Sequence, residues 1–303
     1  MKTERILLTG AAGYIGSHVA IQLKQQGYEN VHYIDNNFYR SPNTQALQDL
    51  EPVGIHNYDI LEDGGIDEVL DEGFDVIIHL AALISVEESV RMMTQYWRNN
   101  LLSTYKLIEN EKKRNKSAHF IFASTGTAFC PENPYAWSKV ACEEVIRDSD
   151  VDHTIFRFYN VSGLSYGLQP TGEATHLIRR AAMAARGMVP EMKVFGTDWN
   201  TPDGTAVRDY IHVEDIARSI VNAVKKGPTN HKFDCLGSGT GYSVLEVVTS
   251  MKKVSGVDFQ VTMAPRRAGD VASMVCPVEL QYEHLIREHD LDSMCLSAYK
   301  GLK

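Results

Sequence analysis

The chain has 303 residues, of which 44% are hydrophobic and 23% charged, and its formal net charge is −9. This composition is typical of a globular protein with one large domain or two lobes, and it excludes a disordered chain. The acidic balance argues against nucleic-acid binding, and no apolar run is long enough to span a membrane. The five cysteines show neither metal-ligand spacing nor a paired framework, so we expect no metal site and a cytoplasmic protein with reduced thiols.

A glycine-rich turn lies between the first predicted strand, Arg5 to Thr9, and an amphipathic helix, Ile15 to Gln26. Its spacing is G-x-x-G-x-x-G, at Gly10, Gly13 and Gly16. Glycine permits unusual dihedral angles and lets a pyrophosphate approach the backbone at the helix N-terminus. The turn therefore predicts a dinucleotide site.

The next predicted strand, Val31 to Ile34, ends at Asp35, which follows Gly16 by 19 residues. A dinucleotide-binding unit places a carboxylate there to accept the adenosine ribose hydroxyls. Since Asp35 would repel a 2′-phosphate, NAD is favoured over NADP, although nearby Arg40 leaves NADP open.

Alternating strands and helices continue along the chain and predict a doubly wound parallel sheet, the Rossmann architecture. The strand at Asp75 to Leu80 reads as buried on both faces, and its residue His79 is expected to pack in the sheet rather than act as a base. The other predicted strands are Gly54 to Tyr58, His119 to Ala123 and Thr154 to Phe158, and the helices are Val86 to Met93, Tyr96 to Arg114 and Tyr135 to Arg147.

Candidate proton-transfer residues follow the strand His119 to Ala123. Ser124 and Thr125 begin a cluster of hydroxyls at its carboxyl end, and the next helix starts with Tyr135-Ala136-Trp137-Ser138-Lys139. Tyr135 and Lys139 are four residues apart and share a helix face, where the ammonium is expected to lower the phenol pKa. Hydroxyl, phenol and ammonium thus come from consecutive strand edges of one sheet, which predicts an acid–base site beside the dinucleotide.

The sequence resembles the extended short-chain dehydrogenase/reductase family and, within it, the UDP-sugar 4-epimerases. The resemblance runs from about Ile6 to about Cys276. Besides the glycine turn, it is carried by Asp35-Asn36, Asp59-Ile60, Val86 to Val90, Phe156 to Asn160, Phe195 to Asp198, Asp203 to Val213, Gly239 to Val244 and Ala264 to Asp270. It implies NAD-dependent 4-epimerisation of a UDP-hexose, plain or N-acetylated.

The resemblance also implies roles for individual residues. Tyr135 is the acid–base group, Lys139 its partner and a cofactor ligand, and Thr125, with Ser124 beside it, bonds the sugar 4-hydroxyl. The other implied cofactor contacts are Gly10, Gly13, Tyr14, Ile15, Gly16, Asp35, Asn36, Asp59, Ile60, Leu80, Ala81, Ala82, Asn99 and Tyr159. The implied UDP-sugar contacts are Asn160, His176, Leu177, Lys193, Val194, Phe195, Arg208, Arg267 and Asp270.

The UDP-sugar chemistry fits those residue types. Arg208 and Arg267 can clamp a diphosphate through charge-assisted bidentate bonds, and Asp270 can accept bonds from ribose hydroxyls. The alternative is structural, with Arg208 paired to Asp209 and Arg267 paired to Asp270.

Other functions on the same scaffold remain open from the sequence. A nucleotide-sugar 4,6-dehydratase needs an acid pair after the threonine, but Gly126-Thr127 follows Thr125. A UDP-glucuronate epimerase or decarboxylase would need a cation for the substrate carboxylate. A non-catalytic NAD-binding scaffold is the third alternative, because the bridge from Phe129 to Pro134 is shorter than in the family and contains two prolines.

Two lobes are expected, with the NAD domain formed by residues 1–160 and 210–236 and a nucleotide-sugar lobe by 161–209 and 237–303. The resemblance implies a homodimer through the helices near Tyr96 to Glu111 and Tyr135 to Arg147.

Overall fold

The computed structural model describes residues 2–62, 65–113, 118–172, 176–267 and 270–303. Arg114, the predicted end of one helix, and Ala268 and Gly269, which belong to one of the family-like runs, lie outside the described residues.

The strands of the described chain are short, and most are buried. They are β1 Ile6–Thr9, β2 Val31–Ile34, β3 Gly54–His56, β4 Val76–His79, β5 His119–Thr125, β6 His153–Phe158, β7 Asn160–Ser162, β8 Met192–Phe195, β9 Val207–His212, β10 Asp234–Leu236, β11 Gly241–Ser243, β12 Val261–Ala264 and β13 Ser273–Met274.

The helices alternate with the strands through the first half of the chain. They are α1 Tyr14–Gln25, α2 Thr44–Gln48, α3 Gly65–Asp71, α4 Val86–Arg91, α5 Met93–Tyr96, α6 Ser103–Lys113, α7 Pro134–Asp148, α8 Leu177–Ala185, α9 Val213–Lys226, α10 Val244–Ser255 and α11 Leu291–Gly301. None of these described helices combines the length and the apolar character that a membrane crossing requires.

The predicted doubly wound sheet is confirmed. Seven strands form it in the order β10-β6-β5-β4-β1-β2-β3, and β1 pairs in parallel with both β2 and β4. The strands β1, β2 and β4 are buried along their whole length, as expected for strands that helices cover on both faces. The order reverses beside β1, so the carboxyl ends of β1 and β4 open at the switch point where such sheets bind ligands.

The long predicted helix from Tyr96 differs from the observed structure. A π-helical segment, Trp97–Leu102, lies between α5 and α6. π-Helical turns are often found at functional sites. The hydrophobic periodicity of the sequence did not reveal this turn, so the sequence predicted one continuous helix. The predicted helix Val86 to Met93 is likewise divided, into α4 and α5, at Met92.

The contacts divide the chain into two compact units. The first contains Met1–Arg157 and Ala217–Asp234, and the second contains Phe158–Ile216 and Cys235–Lys303. Residues 210–216 belong to the second unit because β9 pairs there with β7, β11 and β13. The functional assignment of the two units stays a prediction.

The second unit contains small sheets and three packed helices. Besides the β9 sheet, β8 pairs in parallel with β12, and α8, α10 and α11 pack against one another. Helix α10 starts with a capping box, in which Ser243 and Glu246 satisfy each other's backbone amides.

Candidate active site

The glycine turn packs tightly against the end of β4. Gly10 has a φ of +70°, and a Cβ there would lie 2.8 Å from the Ala81 nitrogen. A Cβ on Gly16 would lie 2.0 Å from the Gly10 carbonyl oxygen. Helix α1 begins at Tyr14 with Gly13 as its N-cap and no side-chain cap, so its first amides are available to an anion. This turn fits the pyrophosphate of a dinucleotide.

The carboxylate of Asp35 is oriented by backbone amides at the end of β2. Its Oδ2 accepts a hydrogen bond from Ala12 N at 3.0 Å, and its Oδ1 accepts one from Asn37 N at 2.9 Å. Burial raises the pKa of Asp35, and these two amides act against that rise. Asn36 Nδ2 donates to Asp59 Oδ2 at 3.4 Å, so the predicted adenosine-side residues lie together.

A buried asparagine that the sequence analysis did not single out supports the segment after β4. The Asn100 side chain accepts from Leu83 N at 2.8 Å and donates to Leu83 O and to Ser138 Oγ, both at 3.0 Å. It therefore ties the predicted cofactor-lining segment, Leu80 to Ala82, to the helix that carries Tyr135. Asn99 donates to the same Asn100 oxygen at 3.1 Å. Asn100 lies in the π-helical segment, and such segments often mark functional sites, but the segment is visible only in the structure.

The packed role expected for His79 agrees with its contacts. His79 Nδ1 lies 2.8 Å from Thr9 Oγ1, and Nε2 lies 3.1 Å from Thr104 Oγ1. Burial lowers the pKa of His79 to about 3, so the ring is neutral and structural at pH 7.

Helix α7 places Tyr135 and Lys139 one turn apart. The Asn133 side chain accepts from Ala136 N at 2.9 Å and Pro134 occupies the first turn, so the helix has a well-defined start just before Tyr135. Lys139 is 3% exposed, and its Nζ donates to the Ala123 carbonyl at 2.8 Å at the end of β5.

The short bridge still brings Thr125 to Tyr135. Helix α7 packs against β5, and a hydrogen bond with the Thr125 side chain lowers the pKa of Tyr135 against the larger effect of burial. Thr125 Oγ1 also accepts from Thr127 N at 3.3 Å and lies 3.0 Å from Thr127 Oγ1. Three hydroxyl-bearing side chains are therefore connected around one point at the carboxyl edge of the sheet.

The prediction that Lys139 lowers the pKa of Tyr135 is wrong, because the pKa of Tyr135 is raised. Burial raises the pKa of Tyr135 to about 12, and the Thr125 hydrogen bond does not offset it. Burial also lowers the pKa of Lys139 to about 8. The ammonium is bound to Ala123 O and lies 4.7 Å from the centre of the Phe122 ring. Desolvation disfavours both the phenolate of Tyr135 and the ammonium of Lys139. Sequence spacing alone could not predict this effect, because burial depends on the folded structure.

Ser124 belongs to a buried network that the sequence analysis also missed. Its hydroxyl donates to Glu143 Oε1, and the Arg157 fork binds Glu143 with Nε to Oε1 at 2.9 Å and Nη2 to Oε2 at 2.6 Å. Glu143 and Arg157 are 1% and 5% exposed. Glu143 and Arg157 therefore form a buried ion pair, and each needs the other because a buried charge without a partner is costly.

The second unit gathers the predicted diphosphate-binding residues around one carboxylate. Arg267 Nε binds Asp270 Oδ2 at 3.0 Å, and Arg208 Nη2 lies 4.0 Å from Asp270 Oδ1. The structural alternative is thus half right: its pairing of Arg267 with Asp270 is present, but its pairing of Arg208 with Asp209 is wrong, because the buried Asp209 carboxylate accepts from Ser238, Gly239 N and Cys276 N. Asp270 holds two guanidinium groups close together, as an anion such as a diphosphate would.

The other predicted substrate residues differ in what they offer a ligand. Asn160 Nδ2 donates to Asp209 O at 2.8 Å, and Arg267 stacks on the Phe195 ring at 4.9 Å. The Val194 side chain is fully buried, so only its backbone is available, whereas Lys193 is exposed and pairs with Glu191 at 3.5 Å. His176 and Leu177 form the start of α8, and Tyr159 is buried with its amide on Leu236 O.

Two groups of described residues outside these sites have the proximity that a metal ion needs. They are His32 with His56 and Glu72, and His212 with Glu214 and His289. In the first, Glu72 already binds Arg5 at 2.8 Å, and in the second, His289 already binds Asp215 at 2.8 Å. We assign a metal to neither.

These features together define a class of enzyme: a Rossmann protein with a dinucleotide turn and a hydroxyl, phenol and ammonium at one edge of its sheet. The chain belongs to the NAD dependent epimerase/dehydratase family, whose model matches residues 6–235.

Curated relatives narrow the class. The chain is 34% identical to UDP-glucose 4-epimerase of Bacillus subtilis, with 97% of this chain and 96% of that protein covered. It is also 34% identical to UDP-glucose 4-epimerase of Homo sapiens, with 99% and 97% covered. The first alignment spans 331 positions against a chain of 303 residues, so the relative has insertions.

Solved structures show the same likeness. UDP-glucose 4-epimerase of Stenotrophomonas maltophila, with bound NAD and formylated UDP-arabinopyranose, superposes with a TM-score of 0.88 at 29% identity and covers 99% of this chain and 98% of its own. The Bifidobacterium longum UDP-glucose 4-epimerase, in complex with NAD+ and UDP, gives 0.86 at 32% identity, with 98% and 97% covered.

Proposed function

We propose that this protein is an NAD-dependent epimerase that inverts C4 of a UDP-hexose and interconverts UDP-glucose and UDP-galactose through a transient 4-keto sugar. The observation that carries the proposal is the position of Tyr135 on α7, one helical turn from Lys139, whose ammonium binds Ala123 O of the strand that ends in Thr125. The identity to UDP-glucose 4-epimerases over nearly the whole chain supports the same reaction.

The cofactor residues have the properties that NAD requires. The glycine turn leaves space for the pyrophosphate at the α1 N-terminus, and the Asp35 carboxylate can accept the ribose hydroxyls. Bound oxidised NAD supplies a hydride acceptor, and later a hydride donor, for C4.

Proton transfer is the task of Tyr135 and Thr125. Tyr135 takes the proton of the sugar 4-hydroxyl as hydride leaves C4, and it returns the proton after the 4-keto sugar has turned its other face. Burial raises the pKa of Tyr135 to about 12, and the hydrogen bond with the Thr125 hydroxyl acts against that rise by favouring the phenolate. Lys139 adds positive charge at the same edge while it is protonated.

Substrate binding is the proposed task of the second unit. Arg208 and Arg267 would exchange the Asp270 carboxylate for the diphosphate, and Asp270 would then accept the uridine ribose hydroxyls. Asn160, His176, Leu177 and the segment Lys193 to Phe195 complete the proposed UDP-sugar contacts. N-acetylated hexoses are within the proposed range, and a Campylobacter jejuni UDP-Glc/GlcNAc 4-epimerase is 34% identical to the chain.

The described residues disfavour two of the alternative functions. A 4,6-dehydratase needs a free carboxylate to eliminate water, but Glu143, which bonds Ser124, is already bound by the Arg157 fork. A non-catalytic scaffold is disfavoured because Thr125, Tyr135 and Lys139 are all retained on either side of the short bridge.

We also propose a homodimer through the helices near Tyr96 to Glu111 and Tyr135 to Arg147. Large apolar side chains on both helices are exposed, with Tyr105 and Trp137 each 49% exposed. Light scattering is expected to give twice the chain mass of 33.9 kDa. A Tyr105→Glu, Trp137→Glu variant should be monomeric, and a wild-type monomer would contradict the dimer.

The proposed setting is cytoplasmic galactose metabolism. All five cysteines are free, four of them buried, which suits a reducing compartment.

The reaction is tested with purified protein. Denaturation should release NAD, and UDP-galactose and UDP-glucose should each be converted into the same mixture. Release of NAD without interconversion would support the scaffold instead. A panel including UDP-N-acetylhexosamines defines the sugar range.

A further inference from the structure

A guanidinium group inside the first unit is held by two aromatic rings. The Arg157 carbon Cζ lies 4.6 Å from the centre of the Phe129 ring and 3.7 Å from that of Phe233. The two rings meet edge to face at 5.2 Å. The same guanidinium makes two hydrogen bonds to Glu143. Arginine can stack and bind a carboxylate with its fork at once, and lysine cannot.

Phe129 ties this guanidinium to the loop before the catalytic helix. It is the last residue of the 3-10 turn Gly126–Phe129, which Thr125 caps, and it starts the bridge that ends at Pro134. The Phe129 side chain remains 43% exposed, so the ring lies over the guanidinium rather than inside the core. Pro131 and Pro134 stiffen the bridge, so a shift of Phe129 would be passed on to Tyr135.

Glu143 ties the same guanidinium to the other two catalytic elements. It lies on α7 one turn after Lys139, and its negative charge opposes the effect of burial on the Lys139 pKa. It also accepts the hydroxyl of Ser124, the residue before Thr125. Arg157 is therefore connected to the end of β5, to the bridge and to α7.

We propose that Arg157, through its stack on Phe129 and its fork on Glu143, is the positioning residue that holds the end of β5, with Thr125, against the start of α7, with Tyr135, despite the short bridge. This inference rests on the proposed epimerase function. Arg157 touches neither substrate nor cofactor in this role; it sets the distance between groups that do. A misplacement of about 1 Å can cost roughly a hundredfold in rate.

The test is a series at Phe129, whose exposure makes folding of the variants secure. In Phe129→Ala and Phe129→Leu the aromatic face is lost, and kcat should fall by roughly 10- to 100-fold with KM for UDP-galactose nearly unchanged. Phe129→Tyr keeps the ring and should keep kcat within about twofold. Bound NAD and melting temperature should match the wild type in all three.

A second variant tests the guanidinium itself. Arg157→Lys keeps a positive charge for Glu143 but loses the fork and the stack, so it should show the same kcat loss with NAD retained. Wild-type kcat in Phe129→Ala and Phe129→Leu would overturn the proposal, as would a kcat loss that merely follows lost NAD or lost folded protein.

Hydrogen exchange separates this inference from the proposed function. In Phe129→Ala, amides from Gly126 to Ser138 should exchange faster, while those of β1 and α1 should not change. Unchanged exchange would overturn the positioning role even if the wild type had no epimerase activity. Faster exchange in an inactive wild type background would support the role and reject only the epimerase assignment.

Discussion

The proposed proton-transfer residues and the proposed diphosphate-binding residues are held in different ways. Lys139 is 3% exposed and bound to a backbone carbonyl, and Ser124, Thr125 and Tyr135 are fixed by neighbours of the same unit. The Arg267 side chain is 58% exposed, and it is held by an ion pair with Asp270 and by the Phe195 ring.

The difference follows from what each group has to do. Proton transfer needs fixed donors and acceptors at hydrogen-bond distance, which burial and a rigid support provide. Binding a charged nucleotide needs cations that can exchange a protein carboxylate for a phosphate at little cost. The ion pair of Arg267 with Asp270 is partly exposed and therefore weak, whereas the Arg208 side chain is only 16% exposed. Substitutions in the first set should therefore change kcat, and those in the second set should change affinity.

The largest effect is expected from Tyr135→Phe, which removes the phenol oxygen and keeps the ring. The kcat for UDP-galactose should fall by roughly two to four powers of ten, because general acid–base catalysis contributes that much. The measurement is initial velocity with protein of matched NAD content. An unchanged kcat would show that Tyr135 is not the base.

A smaller effect on affinity is expected from Arg267→Met. Loss of a charge-assisted bond to the diphosphate should weaken UDP binding by roughly 10- to 100-fold, as measured by calorimetry. The matched control is Arg266→Met, since Arg266 is bound to Asp198 at 2.7 Å and stacked on Trp199. Equal losses in the two variants would remove the assignment of Arg267 to the diphosphate.

The pH dependence of kcat should report the Lys139 charge. Because burial lowers the pKa of Lys139 from 10.5 to about 8, the ammonium is present below that pH and is lost as the pH rises through it. Because Lys139 is proposed to bind the cofactor as the ammonium, the kcat should be about tenfold lower at pH 9 than at its plateau. Melting temperatures over the same range control for unfolding, and a flat profile up to pH 9.5 would reject the role of the ammonium.

An effect of similar size is expected at the cofactor. Asp35→Ser removes the carboxylate that repels a 2′-phosphate, so the preference for NAD over NADP should fall by about tenfold in equilibrium binding. Asp49→Ser, which removes an exposed carboxylate of the same unit, is the control and should keep the wild-type preference. If both variants kept it, Arg40 or another group would set cofactor choice.

Local patterns predicted the fold and the principal candidates. The glycine turn, Asp35 and the Tyr135–Lys139 pair depend on short spacings, and the confirmed sheet follows from alternating strands and helices.

Local sequence patterns could not predict contacts between distant parts of the chain. Phe233 stacks on Arg157 from a segment far along the sequence, and Arg157 meets Glu143 from the next strand. The sequence also places Tyr135 and Lys139 correctly but misjudges the phenol pKa, because burial and the bond of Lys139 to Ala123 depend on tertiary packing.

The central claim is reversible hydride transfer at C4 of a UDP-hexose. The most direct measurement incubates the purified NAD-loaded protein with UDP-galactose in D2O and follows the sugar by proton NMR. The account predicts UDP-glucose that keeps its original hydrogen at C4, because the hydride leaves and returns without meeting solvent. Deuterium at C4, or no UDP-glucose from fully NAD-loaded protein, would contradict it.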